Sequence, residues 1–323
     1  MKKLAILLCI FIICLIFSAG CTRTQESSQM SDTDQNYPEP KTMRMSACAE
    51  SLNGKIYLIG GMELDGTTLN LVEEYDPVNK VWRVKAPMPT ARYGGDSVIW
   101  NDEIYVIGGR SGNSVYNTVE KYNPVTNKWS TLTSMPTARW NVMTEVIDGE
   151  IYAFGGISGT GNQRKDLDTL EKYSIRENKW YTLSPMPFTR QNGAVVASNN
   201  VVFLISGRVG VADSGSTSPR VDIYTPASGS WSSAPNLPIG RTGLKATAAN
   251  GIIVVTGGAA QSVLNPEILI YKPSSGGWDQ KYTLSNPRTG HCAVTIGNTV
   301  YVLAGTDRMD PPRMTNKIES FSF

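Results

Sequence analysis

Short apolar runs rich in Val, Ile, Tyr and Thr recur along the chain, each cut off by a polar stretch with Gly, Pro or Asn. Runs of this length and composition predict strands, because β-branched and aromatic side chains fit a pleated, half-buried surface. Thirty glycines and eighteen prolines fall between them, and helix punctuation is scarce. The unit from Arg92 to Arg139 shows the pattern whole. It reads RYGGDSVIW, then NDEIYVIGG, then a polar loop into TVEKYNP, and last KWSTLTSMPTAR. These are four short strands, a to d from the arginine onward.

The unit repeats. Arginines 44, 92, 139, 190, 241 and 288 recur at intervals of 47 to 51 residues. Sixteen residues after each stands a small pair: Gly60-Gly61, Gly108-Gly109, Gly155-Gly156, Ser206-Gly207, Gly257-Gly258 and Ala304-Gly305. An aromatic follows in every unit (Tyr75, Tyr122, Tyr173, Tyr224, Tyr271, Phe321), and a tryptophan stands seven residues after each of the first five. One four-stranded unit cannot bury both faces of its sheet, so the copies must stack to make a core. The fixed rings suit that stacking, since one aromatic buries ~150–250 Å².

A double glycine followed by spaced Tyr and Trp resembles the kelch repeat, and the resemblance covers Arg44 to Phe323. It implies an all-β fold, a six-bladed β-propeller of four-stranded antiparallel blades. The last unit stops after its third strand, leaving an edge that needs a partner. The segment within Met30–Pro40 stands where a strand d belongs, so it is expected to close the ring on the sixth blade.

The N-terminus changes the setting. Lys2 and Lys3 precede an apolar run from Leu4 to Phe17, then Ser18-Ala19-Gly20-Cys21. This predicts a signal peptide over residues 1–20, the run being short of the roughly 20 residues of a membrane span. Cys21 resembles a lipobox cysteine, although Ser18 stands where leucine is usual; simple cleavage with release and an uncleaved anchor are the alternatives. Residues 21–35 are then a polar tether and residues 36–323 the propeller. The expected location is outside the cytoplasm, lipid-anchored to the cell membrane.

Charge and cysteines narrow the function. There are 30 Lys and Arg against 28 Asp and Glu, which balance once the leader's two lysines are set aside. No basic run reads as a nucleic-acid footprint. The folded part keeps Cys48, Cys292 and one histidine, His291, too few ligands for zinc, and no metal or cofactor is expected. Cys48 and Cys292 hold equivalent places on neighbouring blades, so their side chains point the same way round the ring and a disulfide is not expected.

Strand alternation sorts the loops. The d–a connections and the b–c loops share one face, here the loop face, and the a–b and c–d turns share the other. The distance from the small pair to the aromatic is 15, 14, 18, 18, 14 and 17 residues, so all the length variation lies in the b–c loops. Binding residues on rigid scaffolds concentrate on such loops. The candidate ligand-binding residues are Arg92, Tyr93, Arg139, Trp140, Arg164, Arg190, Arg208 and His291. The arginine column also has a structural reading, because a residue repeated in every blade does a job in every blade. Trp140 offers either a platform for a sugar ring or packing against a loop. The blade-three loop, with Arg164, Lys165, Asp166 and Asp168, and the Ser/Gly-rich blade-four loop are binding loops or solvated ones. Glu50, Asp96, Glu145 and Lys245 are uncommon charges on inner strands and are expected to line a polar channel.

No G-x-S-x-G, H-E-x-x-H or P-loop motif occurs. A copper oxidase on a kelch propeller needs two histidines. The chain is therefore expected to be a monomeric, non-catalytic module for a protein or glycan ligand. The alternative is a sugar-acid mutarotase like the exported six-bladed kelch enzymes that act on sialic acid.

Overall fold

The computed structural model describes residues 37–209, 216–273 and 276–323. Six antiparallel sheets stand in chain order. Blade 1 is built from Cys48–Leu52, Lys55–Ile59, Val72–Asp76 and Val81–Val84, and blade 2 from Asp96–Trp100, Glu103–Ile107, Val119–Asn123 and Lys128–Leu132. Blade 3 has Met143–Ile147, Glu150–Phe154, Leu170–Ser174 and Lys179–Thr182; blade 4 has Ala194–Ser198, Val201–Ile205, Val221–Thr225 and Ser230–Ala234. Blade 5 has Lys245–Ala249, Ile252–Thr256, Glu267–Lys272 and Gly277–Thr283. Blade 6 shows three strands among the described residues, Cys292–Ile296, Thr299–Leu303 and Glu319–Ser322. Each strand a contacts the strands a of both neighbouring blades, and that of blade 1 meets that of blade 6. The result is a six-bladed β-propeller with strand a lining the axis.

Local chemistry explains each turn. The a–b hairpins of blades 1 to 5 have two-residue loops with both residues at positive φ, as at Asn53 (53°) and Gly54 (73°). Such turns match the right-handed twist of the strands they join, and Asn, Asp and Gly tolerate them best. The b–c loops of blades 2 to 6 carry short two-stranded arms, from Arg110–Ser111 with Ser114–Val115 in blade 2 to Thr306–Met309 with Pro312–Met314 in blade 6.

The Tyr and Trp columns lie directly opposite each other on strands c and d, with ring centroids 4.8 to 5.2 Å apart. The indole then reaches the preceding blade: Trp129 Nε1 donates to Ala86 O (2.9 Å), Trp180 to Thr133 O (2.9 Å) and Trp278 to Pro235 O (2.8 Å). These bonds pin blade to blade, whereas Trp231 Nε1 in blade 4 is buried without a partner among the described residues.

Two closed circuits of backbone hydrogen bonds complete the ring. Gly61, Gly109, Gly156, Gly207, Gly258 and Gly305 donate their N–H groups to the carbonyls of Arg92, Arg139, Arg190, Arg241, Arg288 and Arg44, at 2.8–2.9 Å. Nearer the axis, the residues two places after the arginines (Ser46, Gly94, Asn141, Asn192, Gly243, Gly290) all have φ between 49° and 64°. Each donates to its counterpart on the preceding blade, Ser46 to Gly290 closing the circle, at 2.6–3.3 Å.

The expected closing strand lies mostly outside the described residues, and its described part, residues 37–40, is not a strand. It nevertheless occupies the seam. Tyr37 Oη is 2.8 Å from Ser320 Oγ, and Tyr37 packs edge-on against Tyr75 and Tyr301. Trp82 Nε1 donates to Pro38 O at 2.7 Å, the bond made elsewhere to Ala86, Thr133 and Pro235. Pro38 precedes Arg44 by the same six residues that separate each of those three from its arginine. The expected signal peptide, Cys21 and the expected tether lie outside the described residues. Cys48 and Cys292 are both free and buried, as their places on the blades predict.

Candidate functional site

The arginine column belongs to the framework. Arg44, Arg92, Arg139, Arg190, Arg241 and Arg288 are all essentially inaccessible to solvent. Each pairs with a carboxylate of strand c: Arg92 with Glu120, Arg139 with Glu171, Arg190 with Asp222 and Arg288 with Glu319 at 2.6 Å, Arg241 with Glu267 at 3.3 Å, and Arg44 with Glu73. Nη1 of Arg92 and Arg139 also donates to the carbonyl of the first residue of the small pair and to a carbonyl of the b–c loop. Burial lowers the Arg139 guanidinium to about 10 despite Glu171, and the guanidinium still carries its charge at neutral pH. Of the ligand-binding expectations, Arg92, Arg139 and Arg190 therefore do not reach the loop face. Their donors are spent on the strand c carboxylates and on backbone carbonyls of strand b and the b–c loop.

His291 is likewise sealed inside. It is 0% exposed, with Nε2 2.8 Å from Thr256 Oγ1 and Nδ1 without a partner. Burial, with Arg288 and Lys245 nearby, holds its pKa well below the ordinary value, so the ring is neutral.

The residues one place after the arginines behave differently. Met45, Tyr93, Trp140, Gln191, Thr242 and Thr289 each bridge to the residue at or next to the start of their own b–c loop, such as Tyr93 to Arg110, Trp140 to Ile157 and Gln191 to Arg208. This ring surrounds the axis on the loop face, and blades 2 to 4 give it its aromatic and cationic members. Tyr93 and Trp140 meet edge to face at 6.5 Å. The Arg110 guanidinium lies 4.5 Å from the Trp140 ring centre and 5.4 Å from that of Tyr93, and Arg164 lies 5.4 Å from Trp140. The indole N–H donates to Gly159 O at 3.3 Å. Beside it, burial pushes the Asp166 carboxyl up against the pull of Arg164 and Arg208. Tyr93, Trp140, Arg164 and Arg208 are thus gathered on blades 2 to 4. Arg110 was missed; its signal was the column immediately after the small pair, where the other blades have Met62, Ile157, Arg208, Ala259 and Thr306.

Below this face runs an axial cavity of about 450 Å³, lined by strand a of every blade. Glu50, Asp96, Glu145 and Lys245 line it as expected. The acids bind the next blade: Glu50 accepts from Ser97 Oγ (2.7 Å), Asp96 from Thr144 N (2.7 Å) and Glu145 from Ala197 N (2.7 Å). Lys245 Nζ crosses the axis to Asp96 Oδ1, 3.6 Å away on the opposite blade. Burial alone would lower Lys245, but Asp96 and the neighbouring thiols and carboxyl outweigh it, and the ammonium is held above its ordinary range. Burial raises Glu50 to about 8, with Asp96 and Glu145 adding to it against the Ser97 bond. It raises Glu145 to about 7 against two backbone N–H bonds. Among the described residues no cluster of His, Cys, Asp and Glu is arranged to hold a metal ion.

A six-bladed β-propeller whose blades share one Arg, Gly-pair, Tyr and Trp plan defines the class. The chain belongs to the kelch-repeat family: residues 19–207 match the KLHDC2/KLHL20/DRC7 Kelch-repeats domain. It is 31% identical to mouse Kelch-like protein 40 over 225 residues, which are 69% of this chain and 27% of that protein. It is 40% identical over 65 residues to the F-box/kelch-repeat protein At1g67480 of Arabidopsis thaliana, 20% of this chain and 17% of that one. The matches thus span about a quarter or less of these relatives' length. Among solved structures it is similar to YjhT, with a TM-score of 0.73 and 20% identity, covering 87% of this chain and 95% of that one. That likeness is one of fold.

Proposed function

We propose that this propeller is a recognition module, exported and tethered through Cys21, that binds a protein or glycan ligand on its loop face. The observation that carries this reading is the gathering of Tyr93, Arg110, Trp140 and Arg164 on adjacent blades there. These residues depart from the repeat, and the repeat already accounts for the buried charges. The propeller supplies a rigid platform, and function belongs to what the platform displays. The test is a screen of glycan and peptide arrays, repeated with Tyr93→Ala on the loop face and with Val78→Lys in the c–d turn opposite. Loss with the first and not the second is expected; the reverse would overturn the reading. Metabolic labelling with palmitate, lost on Cys21→Ser, tests the anchor.

A second reading, a sugar-acid mutarotase, draws on the axial cavity. Its volume of about 450 Å³ suits a monosaccharide, and Glu50 and Glu145 are held at about 8 and about 7, where a carboxyl can both give and take a proton. An NMR assay of anomer exchange decides between the two. Acceleration abolished by Glu145→Gln would favour the enzyme.

A further inference from the structure

We propose that Arg110 and Arg164, shelved on Trp140, form an oxyanion site on the loop face that takes a carboxylate, sulfate or phosphate group of the ligand. The inference rests on the recognition reading for its biological occupant and names the chemistry of that occupant.

Two kinds of arginine occur in this chain. Every arginine of the repeated column has a carboxylate within 3.3 Å and is closed off from solvent. Arg110 and Arg164 are half-buried and unsaturated. Arg110 donates to Gly112 O of its own loop at 2.8 Å, and its Nε has no acceptor. The Arg164 guanidinium donates no hydrogen bond among the described residues; its nearest carboxylate oxygen, on Asp166, is 4.0 Å from Nε, beyond hydrogen-bonding range. Asp166 is itself 7% exposed and keeps Oδ1 unpartnered. The covered Nε atoms leave the terminal nitrogens as the donors that can reach a ligand.

Two guanidiniums are held against one indole, with Asp166 at 4.0 Å from Arg164 as the one carboxylate paired with either among the described residues, so their charge is only partly answered. The ring face attracts each cation but neutralises neither. It also fixes the forks in place, so little side-chain freedom remains to be lost when an oxyanion accepts two N–H bonds. The same contacts change the meaning of Trp140. Both guanidiniums lie over its ring, so the area a sugar would stack on is already covered. The tryptophan is a shelf for the donors.

Isothermal titration at low ionic strength with sodium glucuronate, sodium sulfate, sodium phosphate and glucose tests the site. Saturable binding of at least one anion and none of glucose is expected, and the three anions separate carboxylate, sulfate and phosphate sources. The double variant Arg110→Gln/Arg164→Gln, with its melting temperature checked, should weaken that binding about tenfold or more. Arg164→Lys keeps the charge and removes the fork, and should weaken it too. Glucose binding as well as glucuronate, no anion binding, or anion affinity unchanged in the double variant would each overturn the site. An array ligand that is neutral and indifferent to both substitutions would leave the recognition reading standing and this site refuted. Anion binding lost in the variants, with no array ligand found, would support the site and count against the reading.

Discussion

Arg139 and Arg164 are the same residue type on the same blade, and they have opposite meanings. Arg139 is buried with Glu171 at 2.6 Å and carbonyls at 3.0 Å. Removing it leaves Glu171 uncompensated in the interior. Arg139→Ala should therefore destabilise the fold by about 3–5 kcal/mol in a urea titration. A loss below about 1 kcal/mol, the scale of a surface pair, would contradict the framework role. The repeat made this legible in advance, because periodicity marks what every blade needs. Arg110 was not legible, because nothing in its own neighbourhood distinguishes it; only alignment of the blades exposes its column.

The cavity acids make a prediction at the same scale. A carboxyl raised from its ordinary 4.5 to about 8, as at Glu50, binds its proton more tightly folded than unfolded. Its contribution favours the fold at low pH and is lost as pH climbs through that interval. The melting temperature of the wild type should thus fall more between pH 5 and pH 9 than that of Glu50→Gln, whose amide does not titrate. Parallel curves would show that Glu50 is ionised throughout. That these charges face a channel followed from their place on the inner strands; that they bind the neighbouring blade did not, since it depends on side chains crossing between blades.

At the scale of the element, the strands and turns were readable because each is specified locally. The small pair shows why glycine is preferred there. Gly108 has φ of 65°, and a Cβ would stand 2.6 Å from Arg139 O, whereas Gly54 has φ of 73° with nothing within 4 Å. Gly108→Ala should cost more than Gly54→Ala, about 1–3 kcal/mol against about 1 kcal/mol. Equal losses in denaturant would mean that the close approach is relieved by backbone movement. Ser206 and Ala304 occupy the equivalent place at φ of 57° and 58°. Ser206 Oγ accepts from Arg241 N at 2.7 Å and donates to Ser218 O at 2.6 Å. Ala304, with no polar side-chain atom, makes no such bonds. The arms of the b–c loops were less readable, being pairings of two residues in blades 2 to 5 and of three to four in blade 6, too short for a pattern to register.

For the whole molecule, blade number and order followed from counting repeats, and the seam followed from a missing strand. What the repeat could not supply is how the seam is held. Tyr37 and Pro38 take up positions that other blades fill from strand d and the turn after it. Deleting residues 22–40 should lower the melting temperature sharply, since Trp82 then loses its acceptor and blade 6 its cover. An unchanged melting curve would mean that the backbone circuits alone close the ring.

Those circuits have a consequence for how the molecule comes apart. In a linear stack of repeats the end units fray first, and loss spreads inward from them. A circle of bonds running through Arg44, Gly305 and every unit between them has no end unit. Opening one contact leaves the blades on either side still joined the long way round, so a single breach relaxes little and is readily remade. Two breaches are needed before any blade can leave. The ring thereby converts six weakly independent repeats into one cooperative unit, whose integrity belongs to none of them singly.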